Sequence, residues 1–163
     1  MIWIVLLMAQ ASAPAQTTQT DRGQALFLDA EKGCSVCHAL KGKGTAVGPD
    51  LTGIGRLAPA AIAMGVRATA TQYVQIAKLK TGETFPTVPG AKDDQGMKLY
   101  DLSKRPPELH VVPEKEVSFS ANEKWKHPPA VSTLTDQEIA DVIAYIRYAA
   151  TGLKKTVTPD EAK

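Results

Sequence analysis

The chain has 163 residues, of which 44% are hydrophobic and 22% charged, with 19 Lys and Arg against 17 Asp and Glu. A chain of this length buries roughly 70% of its unfolded surface and needs no disulfide lattice to fold, and its apolar content excludes low-complexity disorder. The net charge of +2 comes from interleaved signs, which excludes docking on nucleic acid or on an anionic membrane surface through a basic patch.

Residues 2–9 (IWIVLLMA) form an unbroken apolar run, followed by small residues and then by a polar Thr/Gln stretch. The run is too short to cross about 30 Å of hydrocarbon. It matches the apolar region of a secretory signal, with Ala11-Ser12-Ala13 or Ala13-Pro14-Ala15 as the cleavage site. Residues 1–15 are therefore expected to be a signal peptide that sends the protein to the periplasm or another exported location. No Lys or Arg precedes Ile2, so either the start lies upstream or the signal is weak. A retained segment would instead tether the protein to a membrane.

A first helix is expected over residues 21–30, with Thr20 or Asp21 as N-cap and Gly33 as its stop. Residues 39–57 are rich in Gly, Lys and Pro and predict an irregular loop. A second helix is expected over 59–71, with Pro59 in its first turn. Tyr73 to Lys80 and Thr84 to Val88, joined across Thr81-Gly82-Glu83, predict a hairpin. Short strands at 97–102 and 110–112 would complete a β-rich insertion from about Tyr73 to Trp125. The last helix is the clearest element. Thr135 and Glu138 form a capping box, Leu134 and Ile139 a staple, and Ile139, Val142, Ile143 and Ile146 an apolar stripe that ends at Gly152. Residues 16–152 thus constitute one domain, and 153–163 a charged, frayed tail.

The two cysteines, Cys34 and Cys37, stand in Cys34-Ser35-Val36-Cys37-His38, the C-x-x-C-H spacing of c-type haem attachment. Two thiols one helical turn apart reach the two vinyl groups of neighbouring pyrroles, and the adjacent His38 turns its imidazole under the iron as proximal ligand. A thioredoxin-like pair would need a βαβ context, and a zinc site would need a second pair of ligands at metal spacing. Neither accompanies the motif.

With Gly23 and Phe27 on the first helix, then the haem motif, then Gly48-Pro49-Asp50-Leu51, and last the helix LTDQEIADVIAYI, the chain resembles the class I c-type cytochromes. The resemblance covers residues 20–57 and 124–150. It implies a mainly α cytochrome c fold, with N- and C-terminal helices crossing over one covalent haem c and a small antiparallel β insertion. It further implies that Gly23 and Phe27 pack near Tyr145, that the Pro49 carbonyl accepts the Nδ1 proton of His38, and that Leu51 lies on the haem edge.

The sequence departs from that family at the distal ligand. A methionine before a proline is the usual residue ahead of the last helix, but here the position is held by His127, followed by Pro128, and no methionine follows Met97. His127 is expected to complete a bis-histidine iron, with Met97 the alternative. Met64, expected in a helix core, and His110, expected on a strand facing solvent, have less to favour them, and an open sixth site is the remaining option. Because a second imidazole lowers the potential relative to a thioether, the expected function is low-potential, one-electron transfer rather than enzymatic turnover. The alternatives are a dedicated haem subunit or polymerising conduit of a larger redox assembly, associating through the β insertion, or a haem sensor or peroxidase-like enzyme. The expected partners are redox proteins.

Overall fold

The computed structural model describes residues 17–30, 33–67, 73–122, 125 and 133–163. The proposed signal peptide, the end of the second expected helix and the loop carrying His127 lie outside them. No helix among the described residues is long and apolar enough to cross a membrane.

Three α-helices are present among these residues: α1 (Gln19–Leu28), α2 (Pro59–Arg67) and α3 (Asp136–Thr151). α1 starts at Thr18, whose hydroxyl accepts from the Asp21 amide while the Asp21 carboxylate accepts from the Thr18 amide. The cap expected at Thr20 or Asp21 thus lies a few residues earlier. The reciprocal pair satisfies two amides that helix ends otherwise leave unpaired. α3 carries the expected box, Thr135 N–H donating to Glu138 Oε2 at 2.7 Å, and closes on Gly152 at φ 74°.

α1 presents Thr20, Gly23 and Phe27 to α3, which is itself buried almost all round from Ile139 to Ile146. Phe27 and Tyr145 meet at 5.5 Å between ring centroids, as the family resemblance implies. Full burial of a side chain such as Phe27 contributes about 2–3 kcal/mol, and a tilted aromatic pair adds roughly 1 kcal/mol. Residues 153–163 correct the expectation of a frayed tail: Val157 and Ala162 are buried in the helical core. Gln19 holds Val157 by two hydrogen bonds of 2.8 and 3.0 Å, and Arg67 donates to the Ala162 carbonyl.

A charged pair crosses the α1–α3 contact. Arg22 binds Asp141 with two nitrogens at 2.7 and 3.1 Å, and Gln137 donates to the same carboxylate at 2.7 Å. Burial alone pushes the Asp141 carboxyl up, but the hydrogen bonds from Arg22, Gln137 and Gln19 outweigh it and hold the group below its ordinary value. A carboxyl depressed on folding stabilises above its unfolded value, and that contribution is lost as pH falls through the folded one. Asp141→Asn should therefore lower the thermal midpoint at pH 7, and the gap to the unsubstituted protein should close below roughly pH 4. Melting curves followed by circular dichroism across pH 3–7 check this; a gap independent of pH would contradict it.

The remaining element is a five-stranded antiparallel sheet, β1 (Gln75–Leu79), β2 (Thr84–Asp93), β3 (Gly96–Asp101), β4 (Glu108–Val112) and β5 (Val117–Ala121), in the spatial order β4, β3, β2, β1, β5. The expected hairpin is the β1–β2 pair, with Ala77 opposite Phe85. After four strands in meander, a single 3-10 turn at Glu114–Glu116 returns the chain so that β5 pairs with β1. β2 and β4 would stand about 10 Å apart in a flat sheet. Phe85 and His110 reach towards each other across β3 and stack with ring centroids 4.8 Å apart. Ala77, Leu79, Phe85 and Leu99 form a core inside it, separate from the helical one.

This overturns the expectation of a mainly α protein with a small β addition. The described residues are 36% helical and 25% strand, and the sheet packs on none of the helices through an extended face. It has its own interior. β5, unforeseen in sequence, completes it.

Candidate haem site

Cys34 opens a 3-10 turn, Cys34–Val36, and Cys37 ends it, its amide donating to the Cys34 carbonyl at 3.1 Å. At three residues per turn, side chains at i and i+3 stand one above the other. The local backbone therefore aims both thiols the same way. Neither is bridged, and both are half-buried. Burial pushes the Cys34 thiol up to about 11 and raises Cys37 as well, while the charge of Arg105 draws both partly back. At neutral pH both are protonated thiols.

The loop after the motif turns back on it through main-chain hydrogen bonds. Lys41, Gly42 and Gly44 take positive φ, and the amides of Thr45, Val47, Gly48 and Leu51 then donate to the carbonyls of Ser35, Cys37, Cys37 and Ala39 at 2.6–3.1 Å. This return places the Pro49 carbonyl 2.7 Å from His38 Nδ1. A carbonyl only accepts, so Nδ1 carries the proton and Nε2 of the neutral ring keeps the lone pair that a metal takes. Gly48 is required for the approach: a Cβ there would stand 2.7 Å from His38 Cε1. Leu51 is half-buried and packs against the helical core.

The other sequence candidates separate. Met97 is half-buried against the sheet's interior cluster. Met64, expected in the core, stands 73% exposed, because α2 buries Ile62 and Ala63 on its other face. His110, expected to face solvent, lies against Phe85 with its Nε2 buried and without a hydrogen-bond partner. That ring is committed to the sheet's own core. His127 lies outside the described residues.

Sequence reasoning missed Arg105. It sits in the turn between β3 and β4, far along the chain, yet its Nη2 donates to the Gly33 carbonyl at 3.4 Å, directly before Cys34. Nothing in Lys104-Arg105-Pro106-Pro107 distinguishes it from an ordinary surface turn.

Two aligned thiols and an imidazole with its donor nitrogen already committed fit a covalently held haem. Among the described residues no three His, Cys, Asp or Glu side chains converge as a separate metal-binding group. No curated protein matches the chain. The family model described as Cytochrome c matches residues 20–101, from α1 through β3 and across the whole Cys-His loop. With half its length matched, the chain belongs to the cytochrome c family, whose members hold iron in covalently bound haem c and pass electrons between redox partners.

Proposed function

We propose that this protein is an exported one-electron carrier in which Cys34 and Cys37 hold a single haem c, His38 is the proximal ligand and His127 the distal one. The observation that supports this most directly is the pairing of thiols aligned by one 3-10 turn with the 2.7 Å bond from His38 Nδ1 to Pro49. When bound, the haem supplies Fe(III)/Fe(II) exchange. The chain's own part is to fix the proximal imidazole: the Pro49 carbonyl sets its tautomer and increases its basicity, and Gly48 leaves room for the ring. His127 is favoured by its place before Pro128 and ahead of the capped α3. Two imidazoles set a low potential, suited to accepting electrons from reducing donors. Export rests on the apolar run 2–9 and the small residues behind it. A second reading, a dedicated haem subunit of a larger redox assembly, draws support from the edge strand β4, where Leu109 and Val111 stand exposed.

Absorption and electron paramagnetic resonance spectra of the purified protein beside His127→Ala test the ligand assignment. Low-spin bis-imidazole spectra are expected, lost in the variant, with rapid carbon monoxide binding gained. A methionine-to-iron charge-transfer band that survives the substitution would overturn His127.

A further inference from the structure

The sheet and the helices keep separate cores, which leaves open what the sheet does for the haem. Its β3–β4 turn is the part that reaches the attachment loop. That turn is held at its start by Asp101, 3% exposed, whose carboxylate accepts from the Ser103 amide at 2.8 Å, and by the Leu102 amide bonded to the Pro86 carbonyl at 2.9 Å. From this anchored base Arg105 extends to the carbonyl of Gly33. Gly33 is buried, N-caps the Cys34–Val36 turn, and donates its own amide to Asp29 at 2.8 Å. The guanidinium is thus presented to the backbone that leads into the first attachment cysteine. Cys34 and Cys37, which follow directly, carry the covalent edge of the haem under the function proposed above.

We propose that Arg105 is a positioning residue that sets the haem potential, its permanent positive charge beside the attachment edge raising the midpoint above what the axial ligands alone would give. The sign follows from charge. The ferric haem carries one more positive charge than the ferrous, so a fixed cation nearby disfavours the oxidised state, and removing it favours oxidation. Arg105 is exposed, so the effect is screened: the Debye length shrinks from about 30 Å at 0.01 M salt to about 3 Å at 1 M. The sheet then acts on the redox centre through the charge of one side chain.

Redox titration of the holoprotein beside Arg105→Gln and Arg105→Lys, at low and high ionic strength, tests this. A lower midpoint is expected for the Gln variant and a midpoint near the unsubstituted value for the Lys variant, with the difference shrinking in high salt and the ligand-field spectra unchanged. Lys falling as far as Gln would overturn the proposal in favour of a shape-specific clasp. Haem content, read as the pyridine complex on the same samples, separates this inference from the one beneath it. A full complement of haem with an unshifted potential in Arg105→Gln overturns the role of Arg105 alone. An unsubstituted protein without covalent haem overturns the site on which it rests.

Discussion

Replacing Gly23 by Ala should cost about 3 kcal/mol and lower the thermal midpoint by roughly 10 °C. A Cβ at this position would stand 1.9 Å from the carbonyl oxygen of Asp141 and 2.5 Å from its carbon, with Tyr145 Cβ at 3.0 Å. The obstacle is main chain, not the end of a flexible side chain, so relief comes only by moving α1 away from α3. That separation loosens Phe27 from Tyr145 and lengthens the two bonds from Arg22 to Asp141. Alanine's better helix propensity, about 1 kcal/mol over glycine, offsets part of the loss. The same substitution in α2 serves as the control. A Cβ at Gly65 meets nothing within 4 Å, so Gly65→Ala should be neutral or stabilising by up to about 1 kcal/mol. Opposite signs at the two glycines, measured by thermal unfolding, are the expected result. Equal, small effects would show that the α1–α3 crossing does not depend on close backbone approach.

What the sequence reveals of this architecture divides along physical lines. Features encoded within a few residues are legible: the Thr135 and Glu138 capping box, the stop at Gly152, and the β1–β2 hairpin around Gly82. The start of α1 is less legible, because several neighbouring residues, Thr18 as well as Thr20 and Asp21, are competent to cap, and the structure pairs Thr18 with Asp21. Long-range burial is less legible. Val157 and Ala162 lie among charged residues, and their burial depends on Gln19 and Arg67 from distant helices. β5 reads VSFSA beside a charged turn, too short to announce a strand until β1 is there to pair with it. β2 contains Pro86, Pro89 and Gly90, residues that ordinarily end a strand, and it accommodates them with a register shift between Pro89 and Lys92. The expected strands correspond to β1 to β4, but the full length of β2 and the presence of β5 are hidden in this way, and with them the balance of helix to strand. At the site, the Cys-His motif is local and legible. The bond from His38 to Pro49 is expected only through resemblance to a family, and Arg105 is invisible because 72 residues, including β1 to β3, separate it from Gly33.

Substituting both cysteines by serine should abolish covalent haem retention: essentially all haem should then be extractable by acidified organic solvent, whereas none should leave the unsubstituted protein. Single substitutions, Cys34→Ser or Cys37→Ser, should leave one thioether each, recognisable by a red shift of the pyridine-complex spectrum. The local fold gives this test its force. The hydrogen bonds that return the loop to the motif use the carbonyls of Ser35, Cys37 and Ala39, and the turn itself uses that of Cys34, not the sulfur atoms. Serine keeps those carbonyls and nearly the same volume, so the 3-10 turn, the return of residues 45–51 and the bond from Pro49 to His38 should all survive. Loss of retained haem would then report the missing S–C bonds and not a collapsed loop. His38→Ala makes the complementary change, leaving both thioethers while removing the proximal nitrogen. Its haem should stay covalently attached but lose the low-spin spectrum. Finding two thiols open to alkylation in the denatured, haem-loaded protein would contradict covalent attachment at Cys34 and Cys37, because each thioether consumes one of them.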